Sequence, residues 1–208
     1  MIQCRNELIK TCRRLDALGY VPATDGNISV RLNANRLLVT PSLAVKGALQ
    51  PAQLLITDLD GQVVRGKGQP SSEIKMHLYV YRMRPDVVAV VHAHPPTACG
   101  FAAAGLALDQ PVLPEVVLTV GPVPLARYAT PSTDEVPQSL EPFIKEHNAV
   151  LLTNHGVLTL GADLDEALHR MERVEHLAKV ILIARLLGRP GILSKEEIDR
   201  LMAAAKLT

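Results

Sequence analysis

The 208-residue sequence is short of cysteine, has no excess of either charge, and contains no long uninterrupted apolar run. Each shortage excludes something. Three cysteines, Cys4, Cys12 and Cys99, make an odd set without a Cys-x-x-Cys pair. That usage points to a reducing cytoplasm rather than a disulfide-stapled secreted scaffold. A formal net charge of +1 leaves no basic stripe for nucleic acid and no electrostatic hold on a membrane surface. The most apolar stretch, residues 174–187, is interrupted by Glu175, His176, Lys179 and Arg185, so no membrane-spanning helix is expected. Charges begin at the fifth residue and no apolar h-region precedes them, so no secretory signal is expected either. Walker-type phosphate loop, dinucleotide fingerprint and nucleophile elbow are all missing. Without repeats, low-complexity tracts or linkers, residues 1–208 read as one domain, long enough to bury a full core.

What is present is an ordered series of short elements. Leu8, Cys12, Leu15 and Leu18 recur at helical spacing and predict a helix over 3–18, ended by Gly19. Strands are expected at 28–32, 37–40, 54–58 and 62–65, with Asp60-Gly61 as the hairpin turn between the last two. Ser71 or Ser72 caps a helix running to about Met83, closed by Arg84-Pro85. A strand at 87–92 precedes a short helix at 96–104. Residues 116–120 and 123–126 read as strands. Thr133 or Asp134 caps a helix to about Glu146, with Pro137 tolerated in its first turn. Strands at 149–153 and 157–160 flank Asn154-His155-Gly156. Asp163 caps a long helix to Leu187, and Ser194 to Glu197 forms a capping box for the last one. Hairpin-linked strands with helices between and around them predict an α/β fold, a single domain with a largely antiparallel central sheet flanked by helices.

The chemistry-bearing feature is His92-Ala93-His94 at the end of an apolar strand. Alternate strand residues share a face, so these two imidazoles can grip one ion. His155 ends a second apolar run, and Glu73 opens a helical pattern. Three histidines and a carboxylate suit zinc with one position open to substrate, and cobalt or manganese are compatible with the same ligands. Glu73 can close that position or swing away as a base. His77, one helical turn on, either orients Glu73 or is an ordinary core histidine. Cys99 is a candidate thiolate or a small packing residue. His169 and His176, two turns apart on one helix face, read as packing residues rather than ligands.

A second constellation is polar and small: Thr24, Gly26, Asn27, Ser42, Ser71 and Ser72, spread over three turns. Gly26 admits close backbone approach to a ligand, and Ser71-Ser72 sits at a helix N-terminus, which favours an anion such as phosphate.

Taken in order, Gly26-Asn27-Ile28-Ser29, Thr40-Pro41-Ser42, Pro70-Ser71-Ser72-Glu73, His92-Ala93-His94, Tyr128-Ala129-Thr130 and Asn154-His155-Gly156 resemble the class II aldolase/adducin family over residues 3–200. The pattern looks most like the L-fuculose-1-phosphate aldolase branch. The resemblance implies zinc held by His92, His94 and His155, with Glu73 as catalytic acid/base. It implies a phosphate pocket at Thr24, Gly26, Asn27, Ser42, Ser71 and Ser72, and a homotetramer with active sites shared between subunits. The expected reaction is reversible retro-aldol cleavage of a ketose 1-phosphate to dihydroxyacetone phosphate and an aldehyde.

Departures from the family pattern bear on the substrate. Leu43 stands where the pocket glycine is expected. The aldolases it resembles use two tyrosines; Leu113 occupies the first position, and no late tyrosine precedes Thr208. Glu115 lies near the first and is a candidate replacement acid, or a surface strand carboxylate. The epimerases of this family carry aspartate where Glu73 stands, which favours the aldolase. A pentulose-phosphate 4-epimerase, a sugar-phosphate dehydratase and a non-catalytic metal-binding module are the alternatives.

Overall fold

The computed structural model describes residues 1–205; the chain end, including the expected lack of a late tyrosine up to Thr208, lies partly outside them. Eight strands form one sheet in the order β4-β3-β2-β1-β5-β8-β7-β6. They are β1 (Asn27–Asn33), β2 (Arg36–Val39), β3 (Leu55–Thr57), β4 (Val63–Arg65), β5 (Ala89–Ala93), β6 (Leu125–Ala126), β7 (Ala149–Leu152) and β8 (Val157–Gly161). Only β6 and β7 pair in parallel; every other neighbouring pair is antiparallel. Among the described residues seven α-helices flank the sheet: α1 (Ile2–Ala17), α2 (Ile74–Met83), α3 (Pro96–Ala103), α4 (Pro114–Thr119), α5 (Glu135–Leu140), α6 (Leu164–Leu187) and α7 (Lys195–Ala205).

Strand alternation sorts the core into two layers. Ile28, Val30, Leu38, Val91 and Leu151 face α1, α3 and α6. Leu37, Val39, Val90, Val150 and Leu158 face α2 and α5. The central strands β5 and β8, and β1 from Asn27 to Val30, are buried on both faces because helices cover both; on the α2 side β1 presents Asn27 and Ser29 rather than apolar residues. Truncating a fully buried residue such as Leu158 to alanine costs about 2–5 kcal/mol. Asp163 caps α6 by accepting from the Glu166 N–H, and Ser194 with Glu197 forms the reciprocal capping box of α7.

Three expected elements differ. Residues 116–119 belong to a helix, not a strand, with Val120 as its C-cap. Pro114 takes the first helical position, which suits its fixed φ, and Val116 and Val120, four apart, bury one face. This tertiary burial overrides the strand preference of the valines. The helix expected to reach Glu146 stops at Leu140 and continues as turns, because Pro142 has no N–H for the next helical bond. Pro124 likewise shortens the strand expected at 123–126 to Leu125–Ala126. Among the described residues no helix is long and apolar enough to cross a membrane.

Candidate metal centre and active site

The site forms where β1, β5 and β8 meet. Asn27, at the start of β1, pairs with His92 of β5, and His92 pairs with Leu158 of β8. His94 lies just past β5, held by its backbone N–H donating to Tyr20 O at 2.7 Å. His155 sits in the β7–β8 turn, where Asn154 takes a left-handed φ of 56°, a conformation asparagine tolerates better than most residues. Glu73 is the N-cap residue of α2 but makes no side-chain cap bond. Its carboxylate turns toward the histidines instead. The expected caps thus shift by one or two residues: Ser71 Oγ accepts from the Glu73 N–H at 3.3 Å.

Ligand atoms of His92, His94 and His155 all lie within 4.8 Å of one another. His92 is fully buried, and its Nδ1 lies 3.0 Å from Val157 O. A carbonyl only accepts, so Nδ1 carries the proton and the Nε2 lone pair faces the cluster. His92 Nε2 stands 3.1 Å from His94 Nε2 and 3.3 Å from Glu73 Oε2. Glu73 Oε1 stands 3.1 Å from His155 Nε2. Two nitrogens on one tetrahedral zinc are about 3.3 Å apart, given ion–nitrogen distances of about 2.0–2.1 Å. Glu73 Oε1 is buried and makes no hydrogen bond, its approach to His155 notwithstanding. Donor type, spacing and this unsatisfied oxygen all fit a divalent metal.

Electrostatics agree. Burial pushes the Glu73 carboxyl up, but electrostatic interaction with His92 and the contacts from His155 and His92 outweigh it and hold the group below the usual carboxylate range. His94 is lowered to about 4 by burial and by its neighbours His92 and His155, against the opposing pull of Asp25 and Glu73. Neutral imidazole is the form that ligates. Cys99 is no thiolate: burial pushes its thiol up to about 12, and Sγ lies 3.6 Å from His155 O.

The surroundings leave little freedom. A Cβ at Gly26 would stand 2.6 Å from Val21 Cγ1 and 2.9 Å from His92 O. The sequence gives that glycine to a ligand; its close neighbour is the strand carrying His92. Asn27 Nδ2 donates to Glu73 Oε2 at 2.9 Å, so one of its two N–H groups is already engaged. His77 does not touch Glu73 directly; it acts on Asn27 Oδ1. Burial, then the His92 charge, lower it to about 3 despite Glu73.

The three small-residue turns come together. Ser42 N–H donates to Gln69 O, and Pro41 bridges Pro70, which brings the Ser42 turn to Ser71-Ser72. The buried Lys46 ammonium donates to Thr24 O at 2.7 Å and Ala44 O at 2.8 Å, tying the first turn to the second. Leu43 keeps a glycine-like φ of 56° with its side chain exposed. Glu115 is the misplaced member: it lies in the first turn of α4, exposed, rather than on a strand. No hydrogen bond or ion pair links its carboxylate to the histidine cluster among the described residues. His169 and His176 are exposed on α6 rather than packed.

Sequence reasoning missed Asp25, whose Oδ2 is 3.3 Å from His94 Nδ1, and Lys46. It also missed the fully buried Glu175, which accepts from the Thr97 and Ala98 N–H groups at the start of α3. Asp25 had a signal, its place inside the turn of small polar residues; Lys46 and Glu175 bond to groups such as Thr24 and Thr97 that no local pattern links to them.

Known proteins share the sequence pattern and fold of this chain. The model of the Class II Aldolase and Adducin N-terminal domain matches residues 6–182, and the chain belongs to that family. A 5-deoxy-D-ribulose 1-phosphate aldolase of Bacillus thuringiensis serovar kurstaki is 31% identical over 199 residues, which covers 95% of this chain and 92% of that protein. A 3-oxo-tetronate 4-phosphate decarboxylase of Escherichia coli is 34% identical over 183 residues, 86% of each chain. Among solved structures, an L-fuculose 1-phosphate aldolase matches with a TM-score of 0.90 at 31% identity, covering 98% of this chain and 96% of that one.

Proposed function

We propose that the protein is a zinc-dependent class II aldolase that reversibly cleaves a ketose 1-phosphate, L-fuculose 1-phosphate or a related deoxyketose 1-phosphate, into dihydroxyacetone phosphate and an aldehyde. The observation that carries this reading is the cluster of three histidine nitrogens, two of which face the Glu73 carboxylate with its one buried, unsatisfied oxygen. A divalent metal held by His92, His94 and His155, zinc in first place with cobalt or manganese compatible, supplies Lewis acidity toward the substrate oxygens when bound. Glu73 protonates C3 after the C3–C4 bond breaks, and removes that proton in the synthetic direction. Thr24, Gly26, Asn27, Ser42, Ser71 and Ser72 hold the phosphate, and this remote binding orients the reacting carbons.

In condensation the aldehyde oxygen becomes an alkoxide that needs an acid, and in cleavage the C4 hydroxyl gives the same proton back to the conjugate base. Glu115, exposed on α4 and without a hydrogen bond to the cluster of its own chain among the described residues, serves this role from a neighbouring subunit of a homotetramer. Leu182, Ile183, Leu186 and Leu187, exposed on α6, support burial in such an assembly.

One observation favours a second reading. Leu113 is half-buried against the core and brings no hydroxyl to a leaving aldehyde. Decarboxylation needs no such acid. Loss of carbon dioxide from a 3-oxo-tetronate 4-phosphate, followed by protonation, also yields dihydroxyacetone phosphate, and Glu73 supplies the proton in either case. Incubation of the metal-loaded protein with dihydroxyacetone phosphate and a panel of aldehydes, beside the 3-oxo acid phosphate, separates the two. New ketose 1-phosphate supports the aldolase. Carbon dioxide release without aldol product supports the decarboxylase.

A further inference from the structure

We propose that Tyr81, Ser29, His77 and Asn27 form a one-way hydrogen-bond chain that positions Glu73 in front of the histidine cluster. This rests on the role of Glu73 under the proposed function. The chain follows from matched spacings. Glu73, His77 and Tyr81 are four apart on one face of α2, about 6 Å per step. Asn27 and Ser29 are two apart on the facing side of β1, about 6.7 Å per step. The two rows interdigitate in the order Glu73, Asn27, His77, Ser29, Tyr81. The four positioning side chains belong to buried residues.

Chemistry fixes the direction of every link. An ionised carboxylate only accepts, so Asn27 turns Nδ2 to Glu73 Oε2, at 2.9 Å. Asn27 Oδ1 then faces His77 Nε2 at 2.5 Å and accepts, so Nε2 carries the imidazole proton. His77 Nδ1 is left with a lone pair and takes the Ser29 hydroxyl proton across 2.6 Å. Ser29 Oγ in turn accepts from Tyr81 OH at 2.8 Å. A carboxamide can rotate by half a turn and exchange its oxygen for its nitrogen. With His77 donating, the rotated form would set oxygen against carboxylate and N–H against N–H. The chain therefore locks Asn27 in the orientation that holds Glu73. It does not conduct protons to water, because its far end is the buried Tyr81, whose other acceptor among the described residues is Val88 O at 3.4 Å. His77, Ser29 and Tyr81 are positioning residues, not catalytic ones.

Two measurements test this on the metal-loaded protein. ¹⁵N NMR of the His77 ring reads the tautomer directly and needs no substrate. The expected result is protonated Nε2 and bare Nδ1; the opposite tautomer overturns the chain. The second follows hydrogen exchange at C3 of dihydroxyacetone phosphate in heavy water. His77→Leu is expected to keep its metal and its KM within about twofold while kcat falls about tenfold or more, on the general acid–base scale. His77→Gln, which retains a donor for Asn27 Oδ1, recovers part of the loss. Wild-type kcat in His77→Leu, or no recovery in a folded His77→Gln, overturns the proposal. If His77→Leu fails to fold, Tyr81→Phe replaces it, with a smaller fall in kcat at unchanged KM expected and no fall counting against the chain. If the wild type exchanges no hydrogen, the aldolase reading falls, while the tautomer still decides the chain.

Discussion

Gly156 and His94 meet so closely that no side chain fits between them: a Cβ at position 156 would stand 2.6 Å from His94 Cδ2 and 2.7 Å from Ala93 O. It would also stand 3.0 Å from His92 Cε1. Gly156→Ala must therefore displace two of the three histidines or the β5 backbone. The expected outcome is a folded protein whose zinc affinity falls about 10- to 100-fold, the range seen when groups supporting ligands are disturbed. A chelator competition titration measures it, with far-UV circular dichroism as the folding control. Wild-type affinity would show that the turn relaxes without moving the ligands.

Stability should depend on pH through His77. Its folded-state value is lowered to about 3, against about 6.5 in the unfolded chain. Between these values the unfolded chain binds a proton that the folded one refuses. Folding stability is therefore untouched by this group above about pH 6.5 and falls as pH drops toward 3, by about 1.4 kcal/mol per pH unit. Urea unfolding of wild type and His77→Gln between pH 7 and 4 checks the sign. The variant starts less stable and loses less on acidification; parallel curves would remove His77 as the titrating group.

Much of the site could be read because its residues obey local periods. His92-Ala93-His94 follows the two-residue repeat of a strand, and His155 is marked by the Asn-His-Gly turn, so the cluster in the structure matches the one expected. The antiparallel sheet was legible from hairpin signals such as Asp60-Gly61, whose glycine has φ of 82°. Less visible was Ser29, which reads as the solvent-facing phase of an alternating strand yet is fully buried under α2. Its partners lie about 50 residues away, and no local pattern encodes that pairing. Lys46 reads as exposed for the same reason. The valines of α4 mislead because β-branched runs favour strands unless packing decides otherwise.

Assembly is tested through Glu115. Light scattering should give four times the chain mass of 22.5 kDa, and a monodisperse active monomer would defeat the shared site. Glu115→Ala and Glu73→Gln subunits, each inactive in aldehyde condensation alone, should recover activity when mixed, because an intact site then takes Glu73 from one chain and Glu115 from another. Verified mixed tetramers without recovery would leave Glu115 a surface carboxylate of α4.

Glu73→Gln isolates the proton step. Glutamine is nearly isosteric and keeps a carbonyl oxygen for Asn27 Nδ2, whose bond to Glu73 Oε2 spans 2.9 Å. The variant is therefore expected to fold and retain metal on His92, His94 and His155. Glutamine cannot cycle a proton, so turnover should fall about 10²-fold or more. The decisive assay gives the wild type dihydroxyacetone phosphate in heavy water without aldehyde. One C3 hydrogen should exchange stereospecifically, whether the full reaction is aldol cleavage or decarboxylation, because both place the same proton on the same carbon. In Glu73→Gln that exchange should be lost while metal content stays near one per chain. Exchange at the wild-type rate would move the base to another residue, and loss of metal together with exchange would make Glu73 a ligand first and a base second.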